Sequence, residues 1–264
     1  MQKDIKDYNP IKKLIVIYLS FLAFTILYIL YLGLNNSFNF SRKMSTFLIT
    51  GSNRGIGLEL CKQISERGDQ VIATCRKASQ ELIDLGVIIE ENIEISSEET
   101  IRSLSEKLSG INLDCLIHNA GIYEYNSFEK IEKKSILRQF EVNALSPIFM
   151  TQSLKHLLKR SSKVAFITSR MGSIGDNSSG SSYGYRMSKV ALSMAAKSLS
   201  IDLSKEEIYI AILHPGLVST RMTGFTRNGI TTEESVNGIL KRIDSLNKKN
   251  SGTFWHANGE VLPW

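Results

Sequence analysis

Residues 46–57 read TFLITGSNRGIG, an apolar run that ends in a turn with three glycines. The apolar run predicts a buried β-strand, and the residues after the turn show the apolar spacing of a helix. A glycine-rich turn between a strand and a helix lets the backbone approach a ligand closely, and the start of the helix offers free N–H groups to a phosphate. The stretch therefore predicts a phosphate-binding α/β unit.

The rest of residues 44–264 continues the same alternation of strand and helix. Short runs rich in isoleucine and valine predict strands at 46–50, 70–75, 87–95, 114–119, 163–168, 208–214 and 253–256. Helical patterns predict helices at 55–67, 98–108, 134–158, 185–203 and 233–245. Strands that alternate with longer helices are typical of a parallel sheet, so we expect one doubly wound, Rossmann-type α/β domain over residues 44–264.

Two arginines indicate which phosphate ligand the turn would bind. Arg54 lies in the turn, and Arg76 follows the second predicted strand. A basic residue there favours a dinucleotide with a 2′-phosphate, whereas an acidic residue would bind the free ribose hydroxyls. Two solvated surface arginines are the alternative interpretation. We expect NADP(H), bound by Arg76 and by the turn residues Gly51, Ser52, Asn53, Arg54, Gly55, Ile56 and Gly57.

A tyrosine and a lysine provide a candidate for acid–base chemistry. Tyr185 and Lys189 are four residues apart, so they share one face of the predicted helix. A free phenol has a pKa near 10 and exchanges protons poorly at neutral pH, but an ammonium about 4 Å away would lower that pKa by roughly three units. A tyrosine and a lysine four residues apart are also common on ordinary helix surfaces, so the pair is informative only together with the other features.

The amino-terminal segment has a different composition. Residues 14–34 are almost continuously apolar, and as a helix they would rise about 31 Å, the thickness of the hydrocarbon core of a bilayer. We expect a single-pass membrane anchor in an extension over residues 1–43, with the domain on the cytosolic side. A cleaved signal peptide is one alternative. Translation from Met44, which would give a cytoplasmic protein, is the other.

Charge and cysteine content exclude several classes of protein. The chain has 264 residues and a net charge of +6, of which +4 lies in residues 1–43. The nearly balanced remainder gives no basic surface for nucleic acid. Three cysteines cannot form a disulfide scaffold, and the histidines show no metal-ligand spacing, so we expect no metal.

Several motifs occur together in a characteristic order. They are TGSNRGIG (residues 50–57), HNAG (118–121), Ser169, YRMSK (185–189) and HPG (214–216). In this order they resemble the classical short-chain dehydrogenase/reductase family over essentially all of residues 44–264. The segment around YRMSK and the ending GEVLPW look most like the branch that contains C-factor and the sniffer-type NADPH carbonyl reductases.

The resemblance implies roles for individual residues. Tyr185 would give a proton to a carbonyl oxygen, Lys189 would lower its pKa and bind the nicotinamide ribose, and Ser169 would orient the substrate oxygen. Asn143 would position a water in a proton relay. The implied cofactor contacts beyond the glycine turn are Asn119, Ala120, Gly121, Tyr185, Lys189, Pro215, Gly216, Val218 and Thr220.

The sequence departs from the family pattern at three points. His118 replaces an asparagine, and Glu94 stands where an aspartate near the adenine is usual. The gap between Ser169 and Tyr185 is longer than usual, which leaves Ser173 as the alternative serine. We prefer Ser169 because it ends the predicted strand VAFITS.

These observations predict an NADPH-dependent reductase of ketones or aldehydes. The short segment between Pro215 and Thr232 predicts an open pocket with broad specificity. An NADP-linked dehydrogenase of a steroid, retinoid or other lipid alcohol is the alternative enzyme. An NADP-binding sensor or signalling protein without turnover is the alternative from another class. Expected partners are a small-molecule carbonyl or alcohol and the membrane, without nucleic acid, and a homodimer remains open.

Overall fold

The apolar runs form the strands of a parallel sheet. In a computed structural model, which describes residues 11, 14, 18–28 and 44–264, the strands are β1 (Thr46–Thr50), β2 (Gln70–Thr74), β3 (Ile88–Glu90), β4 (Leu113–His118), β5 (Leu158–Ile167), β6 (Tyr209–His214) and β7 (Phe254–His256). The chain divides into two units, Met1–Lys43 and Met44–Trp264, and all seven strands belong to the second.

The strand order is β3-β2-β1-β4-β5-β6-β7, and every neighbouring pair is parallel. The chain therefore runs outward from β1 in one direction, crosses back to β4 and runs outward in the other direction. This is the doubly wound order that the sequence predicts. In such sheets ligands bind outside the carboxyl ends of the strands at the point of reversal, which here lies between β1 and β4.

Alternating side chains place a core on each face of the sheet. Leu48 and Leu116 belong to one buried cluster, whereas Ile49 and Ile117 belong to the other. Both faces are apolar because successive side chains of a strand point in opposite directions and helices cover each face. This packing fixes the positions of the strand ends.

Seven α-helices flank the sheet within the described residues. They are α1 (Gly55–Glu66), α2 (Gln80–Asp84), α3 (Glu98–Lys107), α4 (Lys133–Phe140), α5 (Ser146–Leu154), α6 (Tyr183–Asp202) and α7 (Thr232–Asp244). Side chains cap several of them: Ser97 accepts a hydrogen bond from the N–H of Thr100 at the start of α3, and Thr231 accepts one from Glu234 at the start of α7.

A π-helical turn interrupts the helix predicted over residues 134–158. The turn spans Glu141–Leu145, between α4 and α5, and the N–H of Ser146 donates to the carbonyl of Glu141 five residues earlier. Such turns insert one residue into an otherwise regular helix and frequently occur at functional sites. Here the inserted turn carries Asn143.

The prediction of a membrane-spanning helix over residues 14–34 is wrong. No helix in the part of the chain that the structure describes is both long and apolar enough to cross a bilayer. Residues 15–17 and 29–34 of the predicted span lie outside the described residues. The membrane contact and the anchored location inferred from that span lose their basis.

Candidate active site

The glycine turn after β1 packs directly against the end of β4. Thr50 Oγ1 accepts hydrogen bonds of 3.0 Å from the N–H groups of both Asn119 and Ala120, and Asn119 Nδ2 donates to the carbonyls of Thr50 and Gly51. A Cβ on Gly57 would lie 2.1 Å from the oxygen of Gly51, so only glycine fits there. These contacts hold the start of α1 at the reversal point of the sheet.

The two polar residues that follow Gly51 make contacts within the protein. Ser52 is fully buried and its hydroxyl donates to the carbonyl of Ile49 at 2.8 Å. Asn53 Nδ2 donates to the carbonyl of Lys77 at 3.2 Å. Their side chains therefore stabilise the turn, and a ligand at the turn would meet backbone N–H groups and not these side chains.

The two arginines expected to bind a phosphate differ in their surroundings. The side chain of Arg54 is exposed. Arg76 Nη1 lies 3.5 Å from Glu94 Oε2, the acidic residue noted as a departure from the family pattern, and both side chains are largely exposed. A surface ion pair of this kind contributes little free energy. The ion pair with Glu94 therefore holds Arg76 in place only weakly.

The segment after β6, residues 215–220, forms a second wall beside the glycine turn. Gly216 has a φ of +90° and a Cβ there would lie 2.9 Å from Ile230 Cδ1, while Val218 is buried and bridges to Ile230. The carbonyl of Pro215 accepts a hydrogen bond from Ser235 Oγ at 2.7 Å. These contacts fix the course of the segment towards the glycine turn.

Thr220 marks the point where this wall meets the start of α1. The hydroxyls of Thr220 and Thr223 form a reciprocal capping box. A Cβ on Gly55 would lie 3.6 Å from Thr220 Cγ2, so a side chain at position 55 would fill the gap between the two segments. The gap borders the first N–H groups of α1, which have no partner within a helix.

Asn143, Gly121 and Lys189 lie close to one another. Asn143 Oδ1 accepts from the N–H of Ile122 at 2.8 Å, and its Nδ2 donates to the carbonyl of Ile122 and to Ser188 Oγ. A Cβ on Gly121 would lie 3.1 Å from Asn143 Oδ1 and 3.6 Å from Lys189 Nζ. Glycine at position 121 therefore leaves room beside both side chains.

Lys189 is buried and reaches across to β5. Its Nζ donates to the carbonyl of Ile167 at 2.9 Å and lies 5.7 Å from the centre of the Tyr185 ring. Burial lowers the pKa of Lys189 to about 8. The ammonium is therefore still largely protonated at neutral pH, but it loses its proton more readily than a surface lysine does.

Tyr185 is buried beside Ser169. Burial raises the pKa of Tyr185 to about 12, and its hydrogen bond with Ser169 opposes this only in part. The sequence led us to expect that Lys189 brings the phenol towards neutrality. That expectation is not met because the desolvation of a phenolate outweighs the other contributions. The phenol therefore holds its proton at pH 7.

The two candidate serines occupy different positions. The Ser169 hydroxyl neighbours that of Tyr185, whose pKa it lowers, and it accepts a hydrogen bond from the N–H of Met171 at 3.1 Å. Ser173 Oγ accepts instead from the N–H of Asp176 at 3.1 Å, within its own loop. The hydroxyl beside the phenol is therefore that of Ser169.

His118 serves the packing behind the site. It is buried, its ring stacks on Phe166 at 4.9 Å, and its Nε2 lies 2.8 Å from Thr151 Oγ1. Burial lowers the pKa of His118 to about 3, so the ring is neutral. The departure from asparagine at this position thus affects the core beside β4.

The sequence did not predict the contacts of three residues near the site. Gly172 packs so closely on α6 that a Cβ would lie 2.8 Å from the backbone carbon of Lys189. Arg186 donates to the carbonyls of Met171, Gly180 and Ser181 and so fastens the loop before α6. The ring of Tyr123 meets that of Tyr185 edge-on. Arg186 lies within the YRMSK motif, but no motif predicts these contacts, because the packing of Gly172 on Lys189 is a tertiary property.

A separate cleft of about 470 Å³ lies on the surface between α1 and α7. Its lining includes Glu59, Arg67 and Asp244, and none of the groups described above. Acidic and basic side chains alternate there, so it offers no consistent charge to a ligand. Among the residues that the structure describes, no group of three or more His, Cys, Asp or Glu is arranged to hold a metal ion.

Known proteins share this sequence and fold. The sequence profile of the family described as short chain dehydrogenase matches residues 45–230. A 1-hydroxy-2-glutathionyl-2-methyl-3-butene dehydrogenase of Rhodococcus sp. (strain AD45) is 36% identical over 226 residues, which cover 84% of this chain and 100% of that one.

Two solved structures extend the comparison. An NADPH-bound carbonyl reductase from chicken fatty liver superposes with a TM-score of 0.77 at 30% identity, over 84% of this chain and 99% of that one. The carbonyl reductase Sniffer of D. melanogaster gives a TM-score of 0.78 at 30% identity, over 84% and 100% of the two chains.

Proposed function

The chain belongs to the short-chain dehydrogenase family, and on that premise we propose that it is an NADP(H)-dependent oxidoreductase that reduces a ketone or an aldehyde with Tyr185 as the proton donor. The resemblance to NADPH-bound and sniffer-type carbonyl reductases supports the cofactor and the reaction. The observation that carries the proposal is the buried phenol of Tyr185, whose pKa is lowered by the neighbouring Ser169 hydroxyl and whose ring lies 5.7 Å from Nζ of the buried Lys189.

The residues present fit such a dinucleotide. Gly55 keeps open the gap between the glycine turn and Thr220, and Gly121 keeps open the space beside Asn143 and Lys189. The backbone of the turn and the start of α1 would hold the pyrophosphate. The exposed Arg54 and Arg76 would take the 2′-phosphate. When bound, NADPH would supply the hydride to the carbonyl carbon.

The chain's own groups handle the proton. The hydroxyl of Ser169 would donate a hydrogen bond to the carbonyl oxygen, and the hydroxyl of Tyr185 would give that oxygen its proton. Lys189 would stabilise the phenolate that remains, because an ammonium close to a buried anion acts in a medium of low dielectric. Asn143, held by its hydrogen bonds to Ile122 and Ser188, would position the water of the proton relay near Lys189.

Oxidation of an alcohol by the same groups is a second candidate. The Rhodococcus relative is described as a dehydrogenase. Reduction is preferred because the pKa of Tyr185, about 12, keeps the phenol protonated at neutral pH, whereas oxidation needs it as a base.

NADPH oxidation by the full chain tests the proposal against a panel of aldehydes, quinones, diketones and ketosteroids. Tyr185→Phe serves as the control because it removes the proton and keeps the ring. We expect turnover by the parent chain and a loss of about a hundredfold or more in the variant. Broad turnover would support the open pocket predicted from the short segment after Pro215. Tight NADPH binding without turnover of any carbonyl would favour a sensor.

A further inference from the structure

Tyr123 places a second phenol ring against the first. It follows Gly121 and Ile122, the residues that lie beside Asn143 and Lys189. Its ring centre is 5.0 Å from that of Tyr185, and the two planes meet at 87°. This edge-to-face arrangement is a favourable geometry for aromatic pairs, and it places the Tyr123 ring against the Tyr185 ring.

The hydroxyl of Tyr123 reaches the start of the helix that carries Tyr185. It lies 3.0 Å from Ser182 Oγ, and Ser182 is the residue immediately before α6. Ser182 is buried, has a φ of +51° and caps no N–H group of the helix with its side chain. A serine persists in this left-handed conformation only where its surroundings fix it.

Asn126, three residues after Tyr123, also holds Ser182 and the start of α6 in place. The N–H of Ser182 donates to the carbonyl of Asn126 at 2.7 Å, and the N–H of Gly184 reaches Asn126 Oδ1 at 3.3 Å. Residues 121–126 therefore contact the start of α6 through Tyr123 and Asn126. Of these two, only Tyr123 also contacts the ring of Tyr185.

From these contacts we propose that Tyr123 is a positioning residue for Tyr185: its ring holds the phenol in orientation, and its hydroxyl fixes the start of α6. Simple core packing does not account for it, because the Tyr123 side chain remains 37% exposed. The inference rests on the proposed function, since the orientation of the phenol affects the rate only if Tyr185 delivers a proton.

Two substitutions in the full chain separate the two contacts. Tyr123→Phe keeps the ring edge and removes the bond to Ser182, whereas Tyr123→Leu removes both. Tyr125→Leu is the matched control, because Tyr125 is an aromatic residue two positions away that is 66% exposed. The measurements are kcat, KM, the Kd for NADPH, the thermal midpoint and the ¹³Cζ resonances of labelled tyrosines, with Tyr185→Phe identifying the Tyr185 signal.

We expect the Tyr123→Leu variant to lose about thirtyfold in kcat, because a misplacement of the order of 1 Å costs up to a hundredfold. Tyr123→Phe should lose much less, and Tyr125→Leu should match the parent. The KM and the Kd for NADPH should stay unchanged in all three, which a collapse of the fold would not allow. The Tyr185 resonance should move in Tyr123→Leu and stay in place in Tyr125→Leu.

An unmoved Tyr185 resonance in Tyr123→Leu overturns the inference, as does a kcat equal to that of the parent chain. The resonance also separates the two levels of the argument. If the parent chain reduces no carbonyl, the proposed function fails, and the position of the Tyr185 signal still decides whether Tyr123 holds the phenol.

Discussion

At the scale of single residues, the same burial moves two pKa values in opposite directions. The pKa of Tyr185 rises to about 12 because a buried phenolate is poorly solvated, and the pKa of Lys189 falls to about 8 because a buried ammonium is poorly solvated too. Below pH 8 both groups therefore hold their protons. The two side chains start the proposed reduction in the protonation states that it requires.

The rate of carbonyl reduction should consequently depend on pH through Lys189. We expect kcat/KM to be level below a pH of about 8 and to fall as the pH rises through that value, because neutral Lys189 no longer stabilises the phenolate left by proton transfer. Steady-state rates over a pH series check this. A fall on the acid side, with a level alkaline side, would contradict the assignment. Lys189→Arg, which keeps its charge, should lose the alkaline fall.

At the scale of elements, local patterns predicted most strands and most helices, and α1, α3, α6 and α7 begin and end within two residues of their predicted bounds. The strands β1, β2, β4 and β6 lie within a residue or two of the predicted bounds, because each is a short apolar run with both faces buried. The predicted strand at 87–95 shrinks to β3, Ile88–Glu90, and the short helix α2 was missed. Five residues are too few for a helical period to appear in the sequence.

The helix predicted at 134–158 is divided into α4, a π-helical turn and α5 for a tertiary reason. Its π-helical turn positions Asn143 against the backbone of Ile122, which is 21 residues away in the chain. The periodicity of apolar side chains contains no sign of such a bond. The site shows the same division: motifs indicated Ser169, Tyr185 and Lys189, whereas the burial that sets the pKa of Tyr185 depends on the folded chain.

Close packing between the loop after β5 and α6 should be sensitive to one methyl group. Gly172→Ala would place its Cβ 2.8 Å from the backbone carbon of Lys189 and 2.9 Å from Lys189 Cβ. We expect a loss of about 2 kcal/mol of stability from overpacking and a lower kcat, since Lys189 must shift. Chemical denaturation and steady-state kinetics measure the two effects.

Gly110→Ala is a suitable comparison for that substitution. Gly110 has a φ of +86°, and a Cβ there meets no atom within 4 Å. It should cost about 1 kcal/mol through backbone strain alone and leave kcat unchanged. Equal kcat values for the two variants would show that the Gly172 contact does not position Lys189.

At the scale of the whole molecule, two buried histidines should make the fold sensitive to acid. Burial lowers the pKa of His118 and of His214 to about 3, well below the unfolded value near 6.5. Between these values the unfolded chain binds more protons than the folded chain, so stability rises with pH in that window and is lost as the pH falls below about 6.5. Each histidine should cost up to about 2 kcal/mol at pH 5.

Urea denaturation at neutral and acid pH checks this for His118→Asn. The variant should lose the packing of the ring on Phe166 at every pH, yet its stability should decrease less on acidification than that of the parent chain. An acid dependence equal to that of the parent would mean that His118 is not the group that takes up the proton.

The division of the chain gives a further expectation. All described strands and every residue of the candidate site lie in Met44–Trp264. A chain that begins at Met44 should therefore fold and reduce the same carbonyls with an unchanged kcat. Circular dichroism and NADPH oxidation test it beside the full chain. A truncated chain that folds but loses turnover would assign residues 1–43 a part in catalysis.

Because of the π-helical turn at Glu141–Leu145, the geometry of the site depends on the number of residues in this part of the chain. An α-helix advances about 100° for each residue, so the additional residue of the π-helical turn decides which direction Asn143 faces. Deleting one neighbour would let an unbroken helix form and would improve its regularity, while the amide rotated away from Ile122. An asparagine at this position is therefore insufficient on its own, because the correct count of residues before it is equally required.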